Sequence, residues 1–379
     1  MLKKQMTIEN IPDEDVSYSD DDLYNINSWG ADLSFRELIS MYEENELLKP
    51  ELQRKYVWTK DEASRFIDSI LLGLPVPSIF LAKDGTQKLI IDGYQRIMTV
   101  VDFVKGIFSD SGKVFKLSNS ESINKRWRGK AFVELLSEEQ RRIKSYTIHC
   151  IIFEQKKPQD NTGMYQIFER INTTGKVLKP QEIRNCVYHG PFNSLIMDLN
   201  KKNYWRRILG SDIEDTRMAD VELILRFFAF EDLKNQPALG QRQIILKKYL
   251  NEYMGKMNNA DAKMLSSKAE LFERTMSLID RMLGEQAFCN IRNIAAGSAL
   301  PVFIPKVHPT IFDAITVATS YAISATNIQK DSQFKDRQII LLENSDFREA
   351  TSRRTTNIDN IKSRISLAAK YLYEVDYEW

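Results

Sequence analysis

KLIIDGYQRIMTVVDFVKG, Lys88–Gly106, changes its hydrophobic period in the middle, and the fold follows from that change. Leu89, Ile90 and Ile91 read as a short buried strand, whereas Ile97, Val100, Val101 and Val104 recur at i, i+3, i+4 and i+7, the spacing of one helical face. The polar break DGYQR, Asp92–Arg96, is therefore a strand-to-helix turn. Upstream, SIFLA and KLIID form two short strands joined at Asp84-Gly85. Before them, TKDEASRFIDSILLG carries Thr59 and Glu62 at capping-box spacing and closes at Gly73, which predicts a helix. SFRELISMYEENELL predicts another, with Ser34 as its cap.

Downstream, the segment from Arg126 to Gln155 predicts a helix and then a strand whose run Tyr146–Phe153 is rich in β-branched and aromatic residues. TGMYQIFERINTTGKVLKPQEIRNCVYHG predicts two helices around a polar turn at Asn172–Lys176, the second running from about Pro180 to Gly190. From about residue 191 strand signals almost vanish, and VELILRFFAF, AELFERTMSLIDRML and IKSRISLAAKYLYEV are spaced as helices. The expected class is α+β: a first lobe with a small mixed sheet, followed by an α-helical lobe.

Composition narrows the function. The chain has 379 residues, 43% hydrophobic and 28% charged, with a formal net charge of +1. This is a soluble, globular balance, and any nucleic-acid surface must be local. No apolar run reaches the roughly 18 residues of a membrane span and no signal pattern opens the chain, which points to the cytoplasm and no membrane partner. Cys150, Cys186 and Cys289 lie far apart without metal-ligand spacing, so free thiols and no metal centre are expected. Residues 1–26 are acidic and polar, and DEDVSYSDDD has no periodic apolar face, as in a loosely ordered arm.

The turn DGYQR carries the chemistry. Backbone N–H groups at a helix start are unpaired and the dipole adds partial positive charge, so the turn can hold an anion such as phosphate. Arg96 supplies a forked cation, Gly93 allows close backbone approach, and Asp92 can hold a metal-bound water or a donor. The plain structural reading is a helix cap at Asp92 and a solvated Arg96, and local features alone favour it. Two further segments bear on the choice. ELQRKYVW places Gln53 and Arg54 before Tyr56 and Trp58; IFERINTTGKVLKPQEIRN places Asn172, Thr173, Thr174, Gly175 and Lys176 in a polar turn. Taken singly, each is an ordinary surface segment or helix connection.

In order, QRKYVW, a helix, PVPSIFL, IDGYQR and FERINTTGKVLKPQEIRN resemble the bacterial domain family with a DGQQR signature, whose fold is related to the ParB/sulfiredoxin group. The same domain is similar to the N-terminal part of GmrSD-type type IV restriction enzymes and of the phosphorothioate-sensing SspE anti-phage protein. The resemblance is firm over about residues 28–190. It implies an acidic arm at 1–27, a ParB-like nucleotide-binding domain at 28–190 and an α-helical domain at 191–379. It further implies binding and hydrolysis of a nucleoside triphosphate, GTP, ATP or CTP with Mg2+, in an anti-phage or restriction system acting on foreign DNA. Carried over by motif, Asp92, Gln95 and Arg96 form the catalytic set. Gln53, Arg54, Gly93, Tyr94, Arg170, Asn172, Thr174 and Gly175 line the nucleotide pocket. Arg96 and Arg54 would neutralise phosphate charge, with Gln95 or Asp92 orienting the attacking water.

One position departs from the pattern. Tyr94 stands where the family usually has Gln, which preserves stacking on a base but weakens water positioning, so hydrolysis is less secure than binding. The clustered His and Asn of an HNH-type nuclease are missing, with only isolated His189 and His308 after the first lobe, so this chain is not expected to cut DNA by that route. The alternative function is a nucleotide-gated DNA-binding sensor or regulatory subunit without turnover, working with a separate nuclease; self-association into a homo-oligomer stays open. KKNYWRRILG would supply Lys201, Lys202, Arg206 and Arg207 for nucleic acid beside Tyr204 and Trp205, and NKRWRGK repeats the theme around Trp127. Charge-rich helix ends over a buried Trp explain both equally well. A sulfiredoxin-like redox enzyme would need a low-pKa cysteine near the turn, and none lies between Met1 and His149; the P-loop string GxxxxGK[ST] does not occur.

Overall fold

The computed structural model describes residues 6–11, 14, 18, 26–48, 58–109, 111–155, 162–171, 178–235, 242–292, 301–325 and 333–379. In chain order the strands are β1 (Thr7–Ile8), β2 (Ile26–Ser34), β3 (Leu47–Leu48), β4 (Ile79–Asp84), β5 (Gln87–Asp92), β6 (Ile107–Phe108), β7 (Lys113–Val114), β8 (Thr147–Gln155), β9 (Cys289–Arg292) and β10 (Val302–Val307). Five helices, α1 (Phe35–Glu43), α2 (Lys60–Leu72), α3 (Tyr94–Lys105), α4 (Ser137–Ser145) and α5 (Thr162–Ile171), are interleaved with the first eight strands. After them come α6 (Pro180–Val187), α7 (Pro191–Asn200), α8 (Asn203–Ile208), α9 (Ala219–Glu231), α10 (Leu246–Asn258), α11 (Ala262–Met282), α12 (Pro309–Ala325), α13 (Phe334–Glu343), α14 (Ser345–Ser352) and α15 (Ile358–Tyr373). The chain forms two units: Asp20–Leu178 with Asn185–Val187, and Met1–Ser19 with Lys179–Arg184 and Tyr188–Trp379.

The first unit is the expected α+β lobe. Its sheet has the order β2-β8-β4-β5-β3 and is mixed: β4 runs antiparallel to β5 and parallel to β8, and β2 runs antiparallel to β8. Both predicted caps form. The hydroxyl of Ser34 accepts from Glu37 N–H and that of Thr59 from Glu62 N–H, and each glutamate returns a bond to its cap residue's backbone. Such boxes satisfy orphan donors at the starts of α1 and α2 and contribute about 1 kcal/mol each. Helices α1 to α4 pack on one another and on the sheet, burying Phe35, Phe66, Ile67, Ile79, Ile97, Phe103, Ile148 and Cys150 in one core.

The predicted helix after Arg126 starts later than its polar sequence suggests, at Ser137. The preceding residues belong to the core instead: Trp127 is buried and its indole N–H donates to Asp68 at 2.6 Å. The NKRWRGK segment therefore presents no tryptophan for base stacking. Its tryptophan is a core side chain with its one polar atom satisfied.

In the second unit three strands escaped the sequence. β9 and β10 pair antiparallel, and β1 adds to β10 in parallel, Thr7 opposite Lys306 and Ile8 opposite Val307. Within the acidic arm Thr7–Ile8 is thus a sheet strand, because its backbone groups find a ladder far along the chain. Glu14, also in the arm, is held by Arg226, which forks onto Asp313 as well; Arg364 completes the buried group by binding Asp313 and the carbonyl of Thr355. The rest of this unit is helical, as expected. Cys150, Cys186 and Cys289 are buried free thiols, and burial pushes the first and last up to about 11. Neither Cys150 nor Cys289 is the activated thiolate that a redox enzyme requires.

Candidate functional site

The antiparallel β4–β5 hairpin sets Phe80 opposite Asp92, so the start of β4 lies beside the end of β5. Between β5 and α3 the chain turns at Gly93, with φ of 101°. A Cβ there would stand 2.3 Å from Cγ2 of Ile79, a fully buried core residue. Both the left-handed backbone and the close approach demand glycine. No side chain caps α3, so Asp92 is not the helix cap of the plain reading.

Asp92 instead pairs with Arg96, one helical turn on. Nη1 of the same guanidinium donates to the carbonyl oxygens of Pro77 at 3.2 Å and Ser78 at 3.1 Å. Arg96 is only 12% exposed in its side chain, against 52% for Asp92. It ties the entrance of β4 to the exit of β5, while the carboxylate remains accessible to solvent. Gln95 makes a second tie: its Oε1 accepts from the backbone N–H of Trp58 at 3.3 Å, and the Trp58 ring lies edge-on to Phe66, centroids 5.5 Å apart. Tyr94 turns inward. It is 8% exposed, and burial followed by the negative charge of Asp102 pushes its phenol up to about 12. The expected base-stacking face of Tyr94 is a core face. Asp102 is buried too; burial raises its carboxyl, and the N–H and Oγ of Ser109 both donate to it.

Three of the five ordered segments thus meet at one turn: Trp58 from QRKYVW, Pro77 and Ser78 from PVPSIFL, and Asp92–Arg96. The resemblance already set QRKYVW and DGYQR around one pocket; what it did not give is that the carbonyls of Pro77 and Ser78 are partners of Arg96. Gln53, Arg54, Asn172, Thr174 and Gly175 lie outside the described residues. Arg170 is exposed in the last turn of α5. Among the described residues no three His, Cys, Asp or Glu side chains gather to hold a metal ion. A magnesium ion that arrives with a nucleotide needs only one or two carboxylates beside the phosphates, and accessible Asp92 at a helix start fits that role.

The basic patch of the second unit is a different structure from the one its composition suggests. Arg206 is buried, and its guanidinium is taken by Asp220 at 2.8 Å, Asn200 at 2.7 Å and the carbonyl of Ile213 at 3.1 Å. Trp205 is fully buried with its indole N–H on Asn200. Arg207 is 62% exposed and paired with Asp280, and Lys201 is paired with Asp198. Lys202 precedes α8 and is exposed. Arg206 is a structural cation because the low-dielectric interior demands that it be paired.

Residues 35–189 match the family model of the GmrSD restriction endonuclease N-terminal domain, the segment that contains the whole DGYQR constellation. No curated protein and no solved structure matches the chain. No helix among the described residues is long and apolar enough to cross a membrane.

Proposed function

We propose, taking residues 35–189 as an N-terminal domain of the GmrSD restriction endonuclease family, that the protein is a component of a system restricting foreign DNA, and that its DGYQR turn binds a nucleoside triphosphate. The observation that carries this reading is the convergence of Trp58, Pro77, Ser78 and Asp92–Arg96 on a single strand-to-helix turn inside the matched segment.

The start of α3, with its partial positive charge, is the end that faces a phosphate. Arg96 acts as a positioning residue, since its guanidinium is already spent on Asp92 and two carbonyls. Asp92 is the group placed to touch the nucleotide side: Arg96 holds it in orientation, and solvent reaches it. Magnesium bound with the nucleotide supplies neutralisation of the phosphate charge. Gln95, whose amide oxygen is held by Trp58, fixes the approach of the QRKYVW segment. In this reading Asp92 would hold the magnesium that comes with the phosphates, so that binding depends on its charge, and would orient the attacking water, so that turnover requires it; a protein that binds without turnover is instead a nucleotide-gated regulatory subunit for a separate nuclease.

The test is binding and phosphate release for ATP, GTP, CTP and UTP with magnesium, comparing the wild type with Asp92→Asn. The amide preserves the bond to Arg96 and removes the charge. Binding lost or weakened about tenfold with the fold intact supports the site, and equal binding by both proteins removes it.

A further inference from the structure

A cavity of about 320 Å³ lies wholly within the second unit. Its wall contains Pro180, Ala219, Leu246 and Pro309, which are the first residues of α6, α9, α10 and α12. Four helix N-termini therefore converge on one space, and each brings partial positive charge. Two of these ends are already engaged: Oδ1 of Asp215 accepts from Ala219 N–H at 3.4 Å, and a carboxylate oxygen of Glu182 accepts from Lys179 N–H at 2.6 Å at the start of α6.

An independent feature also asks for a ligand. Gln181 is 1% exposed and lines the cavity. Its Oε1 accepts from Nη1 of Arg184 at 3.0 Å, which fixes the amide, while its buried Nε2 has no hydrogen-bond partner among the described residues. A buried donor left unmade is costly, so an acceptor belongs there. Buried Lys247 adds a cation to the same wall. Of the four carboxylates in the wall, Glu222 pairs with Arg184, Glu14 with Arg226, Asp215 accepts from Arg217 N–H, and Glu9 lies 3.8 Å from His308. Leu223 and Leu250 line the remainder, and the volume falls at the lower end of small-molecule sites.

We propose that this cavity binds a small organic anion, a phosphate or carboxylate head on an apolar body, with Nε2 of Gln181 on the head. The site is separate from the DGYQR turn and extends the reading above.

The test is calorimetric titration of the full chain with phenyl phosphate, benzoate, inorganic phosphate and neutral benzyl alcohol. Gln181→Glu keeps the acceptor that Arg184 uses and exchanges the orphan donor for an acceptor. Phenyl phosphate or benzoate is expected to bind more tightly than benzyl alcohol, at least about tenfold more weakly in Gln181→Glu, and normally in Asp92→Asn; which head binds better separates the two sources. Thermal unfolding midpoints confirm that the variants are folded. Failure of both anions to bind the wild type, equal binding by Gln181→Glu, or loss in Asp92→Asn instead would each overturn the proposal, the first leaving ordered water as the partner of Nε2.

Discussion

Arg96 reaches back one turn onto Asp92 and with the same guanidinium takes the carbonyls of Pro77 and Ser78. An arginine that reads in the sequence as an anion receptor is therefore a brace, and the residue left facing solvent is the aspartate. This division of labour decides which substitutions test function and which test the fold.

Arg96→Ala should destabilise the first unit by about 1–3 kcal/mol, because a charge-assisted pair and two carbonyl bonds are lost at a mostly buried position. Arg96→Lys should recover only part, since an ammonium has no fork to span Asp92 and two carbonyls. Urea unfolding measures both. A wild-type midpoint for Arg96→Ala would show that the brace contributes nothing.

Gly93→Ala should cost about 1–3 kcal/mol through the left-handed backbone at φ of 101°, with more from the clash against Ile79. Ile79→Ala in the same chain opens that contact. The double variant should lose less than the sum of the two single variants, and strict additivity would mean that the clash is relieved in some other way.

Arg206 and Arg207 are neighbours with opposite expectations. Arg206→Ala leaves Asp220 buried without its cation, held by the amide of Asn200 and the N–H groups of Asp215 and Val221, with an expected loss of about 3 kcal/mol. Arg207→Ala removes an exposed pair with Asp280 and should change stability by less than about 1 kcal/mol. Any loss of DNA binding in the Arg206 variant must be read after its unfolding curve; Arg207→Ala and Lys202→Ala are the substitutions that report on surface contact.

The caps at Ser34 and Thr59, the hairpin at Gly85 and the turn at Gly93 were legible in the sequence because each is decided within a few residues. The roles of Arg96 and Arg206 were not. Their partners stand at Pro77 and Asp220, and nothing local separates a bracing or buried arginine from a surface one. Thr7–Ile8 was hidden for a similar reason: two residues have no period, and the strand exists only because β10 offers it a ladder from the other end of the chain. Tyr94 read as a departure in a functional motif, but its position at the start of a core-facing helix gives it a packing role.

Acid should weaken the second unit through Glu14. Burial pushes its carboxyl up, but Arg226, by charge and hydrogen bond, together with Arg364 and Thr355, holds it below the usual 4.5. A folded value below the unfolded one means that the stabilisation is full above that ordinary value and lost as pH falls through the depressed one. Glu14→Gln should therefore unfold at lower urea than the wild type at pH 7, with the gap closing below about pH 4.5. A gap unchanged down to pH 3 would contradict the pairing.

In the proposed site Asp92, braced by Arg96 at the start of α3, faces a bound nucleoside triphosphate. The deciding measurement is equilibrium binding of ATP, GTP, CTP and UTP with magnesium, on the wild type and on Asp92→Asn with matched unfolding curves. At least one nucleotide is expected to bind the wild type, and to bind the variant about tenfold or more weakly. Binding of none by the wild type, or equal binding by both, would contradict it and leave Asp92 and Arg96 as a structural clasp between β4, β5 and α3.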